Sequence, residues 1–251
     1  MMQALRRIKR IIALRERRCM VCGDCFRPQQ TAVLLCNSCR RQLVQRTGGF
    51  CPRCGLPHAL ESMPLTLCSS CISTPPPWLS LRFYGLYDGL LRRIIIRYKH
   101  TPDLTLHPLM GHMLCQALRL RPFSPQEKPD VIVPVPLHPA RLHMRGFNQS
   151  YLPARPAAVM LTVPLQKNIL RRTRYTSAQT GLPKEERRRN LRDAFEADSC
   201  VRGRNVLLVD DVMTTGATLE HCAQALYHAG AQQVHAVVAA RTPPHAHRQT
   251  A

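Results

Sequence analysis

The sequence predicts an α/β fold, a mostly parallel sheet with flanking helices, preceded by a small cysteine-rich region. Two observations lead there. From Leu79 onward, short apolar runs suited to buried strands alternate with longer segments of helical period. Ahead of that point, nine of the 12 cysteines lie within the first 71 residues, in C-x-x-C spacing.

The elements follow in chain order. Residues 1–18 open like a secretory leader, but Lys9, Arg10 and Arg15 break the apolar part and no small-residue cleavage site follows. They read as a basic N-terminal arm. No apolar run reaches the ~18 residues that would cross a bilayer, so the expectation is a cytoplasmic protein without membrane insertion. The cysteine-rich region occupies residues 19–72 and ends at "STPPPW". Three consecutive prolines suit neither a helix interior nor a central strand, so residues 73–78 read as a stiff linker, with Trp78 as a packing anchor. Residues 79–242 form the α/β unit. "LRFYGLYD" reads as a strand, residues 90–98 and 106–118 as helices, and "DVIVPVP" as a buried strand with a proline-marked exit. Residues 152–161 read as a helix despite their prolines, and "NVLLVD" as the next strand. Leu219, Cys222, Ala223 and Leu226 share a helical face that Gly230 closes, and "QVHAVVAA" is the last strand. Residues 243–251 read as a disordered tail.

Outside a secreted chain, paired C-x-x-C motifs indicate metal binding rather than disulfides. Zinc takes four thiolates in a tetrahedron, and each C-x-x-C turn supplies two. Four pairs therefore predict two structural four-cysteine Zn²⁺ sites, a double zinc ribbon whose metal provides the folding energy that such short loops lack. Cys36/Cys39, Cys51/Cys54 and Cys68/Cys71 are clear pairs, while the leading cluster of Cys19, Cys22 and Cys25 holds one thiol too many. Cys19/Cys22 precedes Gly23 as Cys51/Cys54 precedes Gly55, whereas Cys22/Cys25 leaves the shorter loop to Cys36. The expected ligands follow the second pattern: Cys22, Cys25, Cys36 and Cys39, then Cys51, Cys54, Cys68 and Cys71. Sequential pairing is the most economical arrangement and a cross-brace the alternative. Cys115, Cys200 and Cys222 are expected to be buried thiols.

The formal net charge is +21 and unevenly spread. Residues 1–204 carry 34 Lys and Arg against 12 Asp and Glu, and the remainder carry 2 against 3. That excess exceeds what solubility requires and points to a polyanion, first of all nucleic acid, bound without sequence specificity.

The one region that escapes this basicity is "NVLLVDDVMTTGATLEHCAQAL", residues 205–226. Ligands of open α/β sheets bind beyond the carboxyl ends of the strands, where Asp210 and Asp211 stand. Met213, Thr214, Thr215, Gly216, Ala217 and Thr218 then make a turn at a helix N-terminus, a place where backbone N–H groups and the helix dipole favour phosphate. No Lys follows the glycine, so this is not a Walker A loop. The carboxylates would repel a phosphate, so they address hydroxyls or a metal. A sugar phosphate supplies both kinds of group.

"VLLVDDVMTTGAT" resembles the phosphoribosyl pyrophosphate (PRPP) loop of type I phosphoribosyltransferases. "VPVPLHPARLHMRGFNQS" and "RRTRYTSAQTGLPKEERRRNLRDAF" resemble, more narrowly, the ComF/GntX family of competence and DNA-utilisation proteins, which also carry an N-terminal cysteine-rich region. The resemblance implies a type I phosphoribosyltransferase-like fold in which Asp210 and Asp211 hydrogen-bond the ribose hydroxyls and residues 214–218 hold the 5′-phosphate. It implies a pyrophosphate loop of Pro134, Val135, Pro136 and Leu137, supported by Arg145, Gly146, Asn148 and Gln149. Arg172 and Arg174, catalytic together with Asp210 and Asp211, would belong with Thr176, Gln179, Arg189 and Asn190 to a lid that closes over PRPP. Mg²⁺ would accompany the pyrophosphate. Implied partners are PRPP, single-stranded or non-specific DNA, and proteins of the DNA-uptake machinery. Either transfer of the phosphoribosyl group to an unidentified acceptor, or PRPP sensing by a DNA-binding accessory protein, fits these residues. Lys99, in "RYKH", is as well suited to a surface as to the site.

Overall fold

Near-continuous burial along four strands shows that the sheet is covered on both faces. In the computed structural model, which describes residues 16–28, 34–100, 103–174 and 194–243, β3 (Leu81–Leu86), β4 (Val131–Pro134), β7 (Asn205–Met213) and β8 (Gln233–Arg241) form one parallel sheet in the order β3-β8-β7-β4. Ile132, Leu207, Val209, Val237 and Ala239 face one side, where α3 (Gly89–His100), α4 (His107–Leu120) and α6 (Tyr151–Leu161) pack. Val133, Val206, Leu208, Ala236 and Val238 face the other, against α7 (Ala217–His228). Both faces being covered, the strands carry continuous apolar runs. The expected α/β fold with a mostly parallel sheet and flanking helices is therefore the fold observed.

Most expected elements are present with shifted ends. The second helix starts at His107 after a 3-10 turn at Leu104–Leu106, whose Asp103 accepts from the Thr105 N–H. Its middle passes close to α6: a Cβ on Gly111 would lie 2.8 Å from Pro156 Cγ, so a proline-bearing helix fits there against a glycine. The last helix is capped at Ala229, and Gly230 follows with φ 96°, a conformation glycine adopts without strain. Three elements carry no periodic signal: α5 (Pro139–Arg145) and the short antiparallel strands β5 (Leu170–Arg172) and β6 (Phe195–Ala197). Cys200 is exposed, contrary to expectation, because it sits in a 3-10 turn at Ser199–Val201; Cys115 and Cys222 are buried.

The cysteine-rich region lies along β3, an edge of the parallel sheet. Arg46 N donates to Tyr84 O at 2.8 Å, and Leu81 N to Pro52 O at 3.1 Å. Tyr84 Oη donates to Leu43 O at 2.9 Å. An otherwise open edge, which would invite pairing with another chain, is thus occupied. Within the region, α1 (Asn37–Gln42) and α2 (Ser69–Ser73) each start immediately after a cysteine. β1 (Arg17–Arg18) and β2 (Cys25–Phe26) pair antiparallel. Trp78 is the packing anchor expected of it, only 2% exposed. Among the described residues no helix is long and apolar enough to cross a membrane.

Candidate functional site

β7 is longer than the sequence suggested, and its length sets the site. The strand continues through both acids to Met213, pairing Asp210 with Val238 and Val212 with Ala240. Asp210 and Asp211 are consequently buried, at 8% and 4% exposure, at the carboxyl edge of the sheet. Each is held by a different element. Ser150, just before α6, donates its hydroxyl to Asp210 Oδ1 at 2.9 Å, and the Asp211 N–H donates to the same oxygen at 2.9 Å. Lys99, near the end of α3, places Nζ 2.9 Å from Asp211 Oδ1.

The electrostatics follow from crowding two acids and one cation into little water. Burial, then the adjacent Asp211 charge, raise Asp210 to about 7, against the pull of Lys99 and the Ser150 hydrogen bond. Burial alone would lower Lys99, but the charge and hydrogen bond of Asp211 outweigh it and hold the ammonium above its ordinary value. Asp211 Oδ2 is buried and has no hydrogen-bond partner among the described residues, and the same is true of Tyr98 Oη. A carboxylate oxygen in that position is an acceptor waiting for a donor, since an unmade buried hydrogen bond costs free energy.

After Met213 the chain turns through Thr214 and Thr215 into Gly216, whose φ of 87° only glycine adopts freely, and α7 begins at Ala217. The N-cap residue is Gly216, which has no side chain to cap α7, so the helix N-terminus and its dipole face the turn. Thr215 Oγ1 accepts from Ala217 N at 3.4 Å, and Thr214, Thr215 and Thr218 are half-buried around the turn.

The proline-marked exit of β4 lies beside the acids. Val135 N donates to Val209 O at 2.9 Å, which keeps Val135, Pro136 and Leu137 alongside β7 beyond Pro134. Asn148 Nδ2 donates to Val135 O at 3.0 Å, and Asn148 Oδ1 accepts from Ser150 N at 2.8 Å. Arg145 Nη1 donates to Gln149 Oε1 at 2.7 Å, and Gly146 ends α5 with φ 78°. Both halves of the sequence-predicted pyrophosphate loop therefore meet, and Ser150 joins them to Asp210.

Of the two arginines named from the sequence, Arg172 is buried on β5 with its guanidinium carbon 5.4 Å from the Phe195 ring centroid. Burial, then Arg141, lower its pKa, while Cys222 and Asp210 act in the opposite sense. Arg174 is exposed. Thr176, Gln179, Arg189 and Asn190 lie outside the described residues. Sequence reasoning missed Ser150, whose only signal is its place after "FNQ". It left Lys99 undecided although Tyr98 beside it belongs to the buried face of α3.

The cysteines form two four-thiol groups, Cys19/Cys22/Cys36/Cys39 and Cys51/Cys54/Cys68/Cys71, each with sulfurs within 4.8 Å of one another. Pairing is sequential rather than cross-braced. Cys25 is not a member, which corrects the expected Cys22/Cys25 pair. Gly23, at φ 79°, donates its N–H to Cys19 O at 2.9 Å and closes a knuckle around Cys19 and Cys22. Cys25 lies past that knuckle, exposed in β2. The second group is built alike: Gly55, at φ 69°, donates to Cys51 O at 2.8 Å. The Gly after the second cysteine was the informative signal; the shorter loop was not. A hydrogen bond from Cys54 holds Cys51 low, at about 4, and Cys54 correspondingly high. Soft thiol donors gathered this tightly fit zinc in its structural, closed form.

An acid pair at a strand end, a phosphate-type turn at a helix N-terminus and an adjoining proline-rich loop define a phosphoribosyltransferase domain. The Phosphoribosyl transferase domain family matches residues 124–249, and the chain belongs to it. More narrowly, the chain belongs to the ComF/GntX family. The DNA utilization protein YhgH of Salmonella typhimurium strain LT2 is 36% identical over 209 residues, covering 83% of this chain and 90% of that protein. Competence protein F of Haemophilus influenzae is 31% identical, covering 80% and 87%. Competence protein ComFC of Bacillus subtilis is 26% identical, covering 84% and 89%.

Proposed function

We propose that this chain binds Mg-PRPP at the edge formed by β7, α7 and the β4 exit, and acts in the uptake or utilisation of DNA, in the cytoplasm. Asp211 Oδ2 carries the reading. It is a buried acceptor without a partner among the described residues, beside an acid already tied to Ser150, and a ribose presents two adjacent hydroxyl donors. Lys99 neutralises part of the negative charge at this spot, which lets a polyanionic ligand approach an acid pair. Backbone N–H groups after Gly216 receive the 5′-phosphate, while Arg145 and the 134–137 loop line the pyrophosphate side. Mg²⁺ bound with the ligand would supply charge neutralisation of the leaving pyrophosphate. The residues then act by positioning ribose C1 and by excluding water, the terms that dominate a displacement through a cationic centre. The two four-cysteine groups hold structural Zn²⁺.

Calorimetry tests the ligand. Wild type should bind Mg-PRPP, and the Asp210→Ala/Asp211→Ala protein should lose roughly a hundredfold or more in affinity, as expected when two charged acceptors are removed. Equal binding by both proteins sinks the site, and absence of binding by both sinks the ligand. Pyrophosphate release measured against bases, amines and DNA ends then separates phosphoribosyl transfer from PRPP sensing.

The DNA component rests on the basic excess of residues 1–204 and on the similarity to a DNA utilization protein and a competence protein. Fluorescence anisotropy with a single-stranded oligonucleotide should show log affinity falling linearly with log salt, by about 0.7 per phosphate contact. Affinity unchanged between low and high salt excludes an electrostatic DNA interface.

A further inference from the structure

The phosphate turn does not stand on the sheet alone. Two buried side chains brace it, and both are anchored on the same cysteine knuckle. Arg241, the last residue of β8, is 8% exposed and bridges two regions distant in sequence. Its Nε donates to Cys54 O at 2.8 Å. Its Nη1 donates to Met213 O at 3.3 Å and also to Thr214 O, inside the turn, and to Thr242 O at 2.6 Å. Thr242 N adds a bond to Met213 O at 2.9 Å. The knuckle glycine approaches the same side chain, for a Cβ on Gly55 would lie 3.2 Å from Arg241 Cγ.

Trp78 is the second brace. Its ring lies under Gly216, where an added Cβ would meet Cη2 at 3.2 Å and Met213 Cε at 2.7 Å. Its Nε1 donates to Arg53 O at 2.6 Å, and Arg53 Nε donates back to Trp78 O at 3.2 Å. Arg53 and Cys54 are consecutive residues of the Cys51–Cys54 knuckle, so both braces end on one rigid turn. Only a planar fork with separate Nε and Nη donors spans from that knuckle to the turn, a reach lysine lacks.

We propose that Arg241 and Trp78 are positioning residues that transmit the order of the second cysteine cluster to the phosphate turn, so that metal held by Cys51, Cys54, Cys68 and Cys71 sets how well the turn is formed. The consequence for ligand affinity rests on the turn being the seat of the PRPP phosphate; the link itself does not. Metal holds four sulfurs in one geometry and thereby fixes the carbonyls of Arg53 and Cys54 that receive these two donors. The residues act through the turn backbone and touch no reacting atom.

Hydrogen–deuterium exchange on the full-length zinc-loaded protein tests the link. Arg241→Met, Arg241→Lys and Trp78→Phe should each retain the wild-type zinc content and wild-type protection in α4 and β4. Amides of residues 213–218 should exchange roughly tenfold faster, because local opening is set by local contacts. Chelation of zinc from wild type should speed the same amides by a similar factor. Chelation of an Arg241→Met/Trp78→Phe protein should add little, since the path it acts through is already cut. Unchanged exchange in the variants, or a chelation effect of equal size with and without the two braces, overturns the proposal. Should a variant lose zinc, the chelation arm on wild type and Trp78→Phe decides. Mg-PRPP calorimetry on the same samples should show about tenfold weaker binding by each variant. Absence of PRPP binding by wild type would refute the ligand assignment and leave the exchange result to stand or fall separately.

Discussion

Replacing Lys99 by methionine is expected to lower stability at pH 8 by roughly 3 kcal/mol, because it strands the charge of a buried carboxylate. The pair is well shielded, with side-chain exposures of 23% for Lys99 and 3% for Asp211. Asp210 lies next to it and is already raised to about 7. A carboxyl raised above its unfolded value favours the fold in its protonated state. Its contribution is therefore complete below about pH 4 and is lost as pH rises to about 7. Lys99 is the cation that pulls Asp210 down, so without it the Asp210 carboxyl resists ionisation more strongly, and this loss deepens and extends to higher pH. Urea unfolding followed by circular dichroism at pH 5 and pH 8 should show a larger deficit at pH 8. Adding Asp211→Asn to Lys99→Met should restore most of it. A deficit independent of pH, or one the second change does not relieve, would mean that Lys99 acts through its aliphatic stem instead.

Cys19→Ser and Cys25→Ser should differ sharply although six residues separate them. Cys19 belongs to a four-thiol group and is 3% exposed, in the same apolar cluster as Leu35, Cys36, Cys39 and Leu43. Losing one ligand should reduce zinc from about two ions per chain to one and cost more than about 3 kcal/mol, given the apparent energies of structural zinc sites. Cys25 is exposed in β2 and outside the group. Its serine variant should keep both metals and change stability by less than about 0.5 kcal/mol. Metal analysis with thermal melts reads both quantities. The reverse ranking would restore Cys25 as a ligand, and equal zinc loss would implicate both thiols.

What could be read without coordinates follows from which forces are periodic. Strands of the parallel sheet announce themselves because burial on both faces demands apolar runs, as in "VLLV" and "AVVAA". The acid pair and the Thr/Gly turn stand out because they contradict the basic chain around them. The same logic fails for α5 and for β5 with β6, which are too short for a period to develop. It fails again for Ser150, Lys99 and Arg241. Their roles come from hydrogen bonds across the sheet edge, up to the 187 residues that separate Arg241 from Cys54. Cys25 misleads for a different reason: the shorter loop to Cys36 favours it, but the left-handed Gly23 closes the knuckle around Cys19 and Cys22.

The position of β3 also has a consequence for how the polypeptide is made. β3 lies at the edge of the order β3-β8-β7-β4, and its strand partner is β8, in register from Leu81 opposite Ala236 to Leu86 opposite Arg241. A ribosome therefore delivers the first strand of this sheet about 150 residues before the strand it pairs with, an interval of roughly 8 to 30 seconds. During that interval the cysteine-rich segment is the neighbour already available to shelter it, through Arg46 to Tyr84 and Leu81 to Pro52. The contacts of the amino-terminal region therefore precede the sheet pairing of β3 in chain order, and a chain truncated before Gln233 would leave that strand without its sheet partner.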